Sequence, residues 1–141
     1  MTMRSVRIPL ASILLFLSSV GAAQEFSPLS PSTPQLAAIK RWHTALVTGD
    51  FSAYKQSIAE AQAQAASRSQ FNELRKWTPE VVKISSPRPL PNGNYEVSGL
   101  GCKEARRQAV TIIVVKSGAG WKILSTGWAQ VWGSQAKVCP V

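Results

Sequence analysis

Side chains that ligate metals or act as acids and bases are scarce in this chain. Its 141 residues include 7 Asp and Glu together, 1 His and 2 Cys, and the single Asp is Asp50. A catalytic Asp pair is therefore excluded, and a zinc or calcium site lacks converging ligands. The serine-hydrolase motif G-x-S-x-G and the phosphate-binding glycine motifs are also missing. We expect no metal and no cofactor.

The amino-terminal residues have the pattern of a signal peptide. Arg4 and Arg7 precede an apolar run from Leu10 to Val20, and small residues follow up to Ala23. This predicts a signal peptide over residues 1–23, with cleavage after Ala23. An uncleaved anchor is the alternative, but the run is shorter than the roughly 20 residues that cross a bilayer. We expect a periplasmic or secreted protein with no membrane span after cleavage.

Export gives the two cysteines a structural role. Cys102 and Cys139 both remain after cleavage, and an oxidising compartment favours a disulfide between them. Such a bond would tie the end of the chain to an earlier strand. Two buried free thiols are the alternative. A redox role is not expected, because there is no C-x-x-C motif.

The chain is basic, with 16 Lys and Arg and a formal net charge of +9. Removal of Arg4 and Arg7 leaves 14 Lys and Arg against 7 Asp and Glu, a net charge of +7. Such a charge favours anionic partners, such as lipid headgroups, acidic polysaccharide or an acidic protein. A solvated surface without a partner is the alternative. Nucleic acid is not expected, since no recognition motif is present.

The first half of the chain has helical spacing. We expect residues 24–33 to form a proline-containing linker and residues 34–141 to form a single domain. Thr33 and Pro34 begin a first helix that ends at Gly49. Trp42 flanks its apolar stripe, which consists of Leu36, Ile39, His43, Leu46 and Val47.

Two further helices are expected before Pro79. Asp50 caps the second, which continues at helical spacing to Ala66. Ser67 to Ser69 interrupt the pattern, and Thr78-Pro79 ends a short third helix. The apolar positions are Phe51, Tyr54, Ile58, Ala61 and Ala65 in the second helix, and Phe71, Leu74 and Trp77 in the third.

The second half alternates as strands do. Val82 and Ile84 mark one strand, and residues 95–100 mark another after a turn at residues 92–94. Residues 103–108 form either a loop or the polar ends of two strands. A hairpin then joins residues 110–115 to the run that begins at Trp121. This order predicts an α+β fold, with helices packed in a curved antiparallel sheet.

The turn Thr48-Gly49-Asp50-Phe51 and the late strand Gly120-Trp121-Lys122-Ile123 are features of a known superfamily. Over residues 34–132 the chain resembles the nuclear transport factor 2-like (cystatin-like, SnoaL-like) proteins, which include exported bacterial domains of unknown function. The resemblance implies a cone-shaped fold with its ligand site at the mouth between helix and sheet. Enzymes of the superfamily use carboxylates inside the cone, sometimes with histidines, and this chain lacks such a set.

His43 is the one candidate catalytic residue. It lies within the apolar stripe of the first helix, which looks into the cone in the resembling fold. A buried imidazole there could act as a general acid or base, or it could be a hydrogen-bonded core residue. Trp42, His43, Tyr54 and Trp128 are the candidate ligand-binding residues.

The five tryptophans raise the question of which sheet face they occupy. Strict alternation places Trp121 and Trp128 on opposite faces, unless a bulge at Gly127 changes the parity. Trp128 and Trp132 would share a face. One face packs on the first helix, and the other is available for a homodimer interface or a ligand. An anion could bind beside these rings at Lys103, Arg106 and Arg107, which otherwise form a solvated charge cluster.

Three functional hypotheses follow from these features. The first is an exported, non-catalytic module that binds a ligand or protein partner. The second is a small lyase or isomerase with His43 as the base, which requires a cavity that the imidazole reaches. The third is a structural module of an envelope complex.

Overall fold

Helices come first and most strands second in a computed structural model of the chain, which describes residues 25–131. The expected α+β class is confirmed. The helices are α1 (Pro34–Thr48), α2 (Phe51–Ser57), α3 (Glu60–Ala65) and α4 (Arg68–Trp77). The strands are β1 (Ser27–Pro28), β2 (Val82–Ile84), β3 (Arg88–Pro89), β4 (Tyr95–Lys103), β5 (Arg106–Ser117) and β6 (Gly120–Gln130).

Helix α1 begins and ends where its capping residues predict. The hydroxyl of Thr33 accepts a hydrogen bond from the backbone N–H of Leu36 at 3.2 Å, which satisfies a free donor of the first turn. Gly49 ends the helix in the left-handed region, at φ 77°. The residues of the expected apolar stripe are buried except for Val47, which is 38% exposed. The prediction that Val47 belongs to the core-facing stripe is therefore wrong. Trp42, expected beside the stripe, is fully buried.

The predicted second helix is two helices. Asp50 caps α2 as expected, because its carboxylate accepts a hydrogen bond from Ala53 N at 2.9 Å. At Ile58 the backbone becomes extended and forms a parallel bridge with Ile123. The next residue, Ala59, donates its N–H to the Ile123 carbonyl at 2.8 Å. Pairing with the sheet therefore overrides the helical spacing at this point.

Helix α4 contacts the carboxyl-terminal end of α1. Ser67 caps it, and its Phe71 ring is buried in the core. Arg75 donates from Nε to the carbonyl of Leu46 at 2.8 Å, so a cation satisfies a free carbonyl in the last turn of α1. Thr78 ends α4, as expected.

The sheet is antiparallel, with strands in the order β1-β2-β4-β5-β6 and with β3 paired to β4. The predicted linker is therefore partly structured, because Ser27 and Pro28 pair with Lys83 and Ile84 of β2. The proline-rich connection after β2 also contributes a strand, β3. Alternate residues of β4 and β5 face the helices and build the core: Val97, Gly99, Gly101, Gln108, Val110, Ile112 and Val114.

Residues 103–108 are the ends of two strands rather than a loop. Lys103 pairs with Arg106, and the two residues between them, Glu104 and Ala105, have φ angles of 51° and 61°. Two positive φ angles are typical of the tight turn that suits twisted strands. The hairpin of β5 and β6 closes as predicted, through Gly118 and Ala119.

A bulge in β6 sets the faces of the tryptophans. Ile113 pairs with Ser125 and Val114 with Ile123, so Leu124 is the extra residue. The bulge reverses the parity, and Trp121 and Trp128 both pack against the helix-side core. The opposite faces that strict alternation predicts for these two residues are therefore wrong, and the bulge lies at Leu124 rather than at Gly127.

Some predictions fall outside the described residues. These are the signal peptide 1–23, Trp132 and Cys139. Cys102 lies half-buried on β4, and its disulfide with Cys139 stays a prediction. Within residues 25–131, no helix is long and apolar enough to cross a membrane.

Candidate functional site

His43 is a buried residue of α1 that links this helix to the segment after α4. It is 6% exposed, and its Nε2 lies 2.7 Å from the backbone oxygen of Pro79. A carbonyl oxygen only accepts hydrogen bonds, so Nε2 carries the proton and donates it. The imidazole lines none of the four surface recesses described below. None of these four recesses gives the imidazole the access to a substrate that the general-base hypothesis requires.

The surroundings of His43 favour its neutral form. Burial is the largest cause of a pKa below the ordinary value of 6.5, and the charge of Lys40 lowers it further. The hydrogen bond to Pro79 opposes these two effects. The imidazole is therefore a neutral hydrogen-bond donor within the fold.

Two of the candidate ligand-binding residues share one recess. Trp42 and Tyr54 both line it, and it lies between α1, α2 and β6. We call it the Tyr54 recess; its volume is about 160 Å³. Burial raises the pKa of the Tyr54 hydroxyl, which keeps this group protonated and able to donate. The lining residues are Trp42, Tyr54, Ile58, Gln62, Ile123, Leu124, Ser125 and Thr126.

Trp128 lines a larger recess next to the first. We call it the Trp128 recess; it lies between α4 and the strands β5 and β6 and has a volume of about 370 Å³. Thr126 lines both recesses, so they are neighbours on the helix side of the sheet. The lining residues are Leu74, Trp77, Gln108, Thr126, Trp128 and Gln130.

The two indoles of the Trp128 recess differ in their hydrogen bonding. Trp77 is 48% exposed, and its Nε1–H donates to the Glu73 carboxylate at 3.4 Å. The Nε1 atom of Trp128 is buried and has no hydrogen-bond partner within residues 25–131. Most buried donors are paired, and an unpaired one costs about 1–3 kcal/mol. The Trp128 side chain therefore carries one buried donor without a partner among the described residues.

Polar residues that sequence reasoning missed also line this recess. Gln108 is 2% exposed, and Thr126 and Gln130 come from β6. The period of two along β5 was a usable signal, since it places Gln108 on the same face as Val110. Thr126 had no such signal, because the bulge at Leu124 determines which face it occupies.

Carboxylates lie elsewhere. Neither recess has an Asp or Glu in its lining, and Asp50 caps α2. Lys76 and then Trp77 lower the pKa of Glu73 through hydrogen bonds on the solvated face of α4. No group of three or more His, Cys, Asp and Glu converges within residues 25–131 in a way that would hold a metal ion.

The predicted anion cluster is divided by the structure. Lys103 lines a recess of about 350 Å³ beside Arg75, Lys76 and Glu80, whereas Trp128 lines the other recess. Arg106 is exposed at the start of β5. The lining of the Trp128 recess contains no cation, so the structure does not place the cluster in this recess, and Trp132 lies outside the described residues.

Cations instead line an open recess on the outer side of α1. It lies between α1, α2 and β6 and has a volume of about 520 Å³. We call it the basic groove. Lys122 crosses from β6 and donates to the backbone carbonyl of Gln56 near the end of α2. The lining residues are Lys40, Arg41, Thr44, Ala45, Thr48, Asp50, Ala53, Gln56, Ser57 and Lys122.

Comparisons with protein-family models, curated proteins and solved structures found no match. Function is therefore inferred from the residues of the two recesses and the basic groove. Of the four candidate ligand-binding residues, the structure places Trp42 and Tyr54 in one recess and Trp128 in its neighbour, and it leaves His43 outside both.

Proposed function

We propose that this chain is an exported, non-catalytic binding module whose ligand occupies the Trp128 recess. The unused Nε1–H of Trp128 carries the proposal. A ligand that reaches this buried atom through a small side-chain rearrangement would offer it a hydrogen-bond acceptor and remove the cost of leaving it unpaired. The same module would belong to the nuclear transport factor 2-like superfamily and act in the periplasm or outside the cell.

The lining residues describe the ligand. Leu74, Trp77 and Trp128 supply apolar and aromatic surface, while Gln108 and Gln130 supply amide groups. Such recesses take largely apolar molecules that a few polar contacts orient. The ligand is therefore a small, neutral, planar molecule with a carbonyl-like acceptor that meets the indole N–H.

Two observations favour binding over catalysis. The recess has no carboxylate in its lining, and the chain's one imidazole donates its proton to Pro79. General acid–base catalysis needs a titratable group within reach of the substrate. The lining offers two amides, a hydroxyl and two indoles, which bind and orient a ligand.

Nile red, a neutral planar dye with a carbonyl acceptor, is a suitable probe. We expect it to bind the full chain and to move the indole NH resonance of Trp128 downfield in an NMR spectrum. Trp128→Phe keeps the aromatic ring and removes the donor, so affinity should fall about three- to tenfold, as for loss of one hydrogen bond.

Trp121→Phe is the matched control. The Trp121 ring packs edge-on to Tyr95 at a centroid distance of 5.4 Å and does not line the recess. This variant should bind the dye as the wild type does. Equal binding by wild type and Trp128→Phe, or an unchanged Trp128 resonance, would refute the proposal.

A further inference from the structure

The basic groove is a second concave surface, separate from the Trp128 recess. Its two long walls are the solvent side of α1 and the strand β6, and α2 closes it. A volume of about 520 Å³ is within the usual range for small-molecule sites. It is more than one phosphate or sulfate ion would fill.

Three cations line the groove against one carboxylate: Lys40, Arg41 and Lys122 against Asp50. Within residues 25–131, neither Lys40 nor Arg41 forms an ion pair. Asp50 is committed to the N-terminus of α2, where it accepts a hydrogen bond from Ala53 N. The positive charge is therefore available to an anionic ligand, and the planar guanidinium of Arg41 suits a carboxylate or sulfate.

Two of the three hydroxyl side chains that line the groove, Thr48 and Ser57, are available to a ligand as acceptors. Thr48 donates its hydroxyl proton to the Thr44 carbonyl at 2.8 Å, and Ser57 donates to the Tyr54 carbonyl at 2.7 Å. Each oxygen keeps lone pairs that can accept a further hydrogen bond. A ligand that offers donors of its own as well as negative charge would use both of these acceptors.

Large apolar side chains are missing from the groove lining, where Ala45 and Ala53 supply the apolar surface. Lipid tails need an apolar cavity, and peptides usually anchor their side chains in apolar pockets. Acidic sugars combine carboxylate or sulfate groups with many hydroxyl donors. Among the anionic partners expected of this basic chain, they match the groove best.

We propose that the basic groove binds an acidic oligosaccharide, whose charged groups contact Lys40, Arg41 and Lys122 and whose hydroxyls donate to Thr48 and Ser57. The Lys122 ammonium is already held in place by the Gln56 carbonyl. Less side-chain entropy is therefore lost there on binding than at a free lysine.

Titration calorimetry of the full chain at low salt tests this proposal. The probes are trigalacturonic acid, neutral maltotriose, hexaglutamate and phosphatidylglycerol vesicles. We expect trigalacturonic acid to bind, maltotriose not to bind, and hexaglutamate to bind at least tenfold more weakly than the acidic sugar.

A pair of double variants separates the groove from the overall charge. Lys40→Gln with Arg41→Gln should weaken trigalacturonate binding at least fivefold. Arg106→Gln with Lys116→Gln removes the same charge from exposed sites outside the groove and should change affinity less than twofold.

Four results would overturn the proposal. They are failure of trigalacturonic acid to bind, equal losses in the two double variants, equal affinity for hexaglutamate, and binding to vesicles alone. Nile red binding at the Trp128 recess is independent of all four, so the two proposals fail separately.

Discussion

The Nε2 atom of His43, in the middle of α1, lies 2.7 Å from the backbone oxygen of Pro79, just after α4. The hydrogen bond spans 36 residues of sequence and fixes the start of the path into β2. Pro79 is itself fully buried, so its carbonyl depends on a protein donor rather than on bulk water. The one histidine of the chain is thus a structural donor in this fold.

Replacement of this donor should destabilise the protein. His43→Ala leaves the Pro79 carbonyl without its partner and opens a cavity beside α1. We expect the free energy of unfolding to fall by about 2–4 kcal/mol, measured by urea denaturation. The neighbouring Thr44→Ala, at an exposed position, should cost less than about 0.5 kcal/mol. A cost for His43→Ala as small as that for Thr44→Ala would contradict the structural role.

The same burial makes stability depend on pH. The pKa of His43 is lowered below the ordinary value of 6.5, so the unfolded chain binds a proton that the folded chain does not. The free energy of unfolding should therefore decrease as pH falls from 6.5 toward the lowered pKa, and His43 should add no slope above that range.

A variant that cannot titrate separates the contribution of His43 to the pH dependence of stability from that of the carboxylates. His43→Gln keeps an amide donor for Pro79 but does not titrate. Urea denaturation at pH 7.5, 6.5 and 5.5 should give a steeper loss for the wild type than for this variant. Identical pH profiles would show that His43 does not lose stability by protonation.

Pro79 also explains a glycine of β4. A Cβ added to Gly101 would lie 2.6 Å from the Pro79 Cγ and 2.9 Å from the Val81 carbonyl oxygen. Neither a proline ring nor a backbone oxygen can move aside easily, so Gly101→Ala should cost about 1–3 kcal/mol in unfolding free energy. Gly127, with no atom within 4 Å of an added Cβ, provides the control, and Gly127→Ala should be neutral within about 0.5 kcal/mol. Equal effects would contradict the close packing.

Local chemistry made several elements predictable. Thr33 and Gly49 end α1 because a hydroxyl satisfies the first donors and a glycine adopts the positive φ at the last turn. The β5–β6 hairpin follows from a β-branched run and a glycine-bearing turn. These signals act over a few residues, so they can be read without the rest of the fold.

Other features depend on pairing between residues that are far apart in the sequence, which local spacing does not indicate. Ile58 fits a helical stripe, yet it leaves the helix because it pairs with Ile123, far along the chain. Leu124 forms the bulge in β6 although its neighbours alternate normally. The candidate site depends on both, since Ile58 and Leu124 line the Tyr54 recess and the bulge puts Trp128 on the helix side. Sequence spacing identified Trp42, Tyr54 and Trp128 as candidates but not which recess each would line.

Cys102 and Cys139 are the two cysteines of the chain. In a protein exported to an oxidising compartment, the two should form an intramolecular disulfide, so alkylation without reductant should label neither residue. Closing the chain between them should raise the free energy of unfolding by about 4 kcal/mol in the chain-entropy picture. Reduction should lower the melting temperature of the wild type and leave a Cys102→Ser, Cys139→Ser variant unchanged. Two alkylated thiols in protein recovered from the periplasm would contradict the disulfide. Equal melting temperatures of the wild type with and without reductant would contradict it as well.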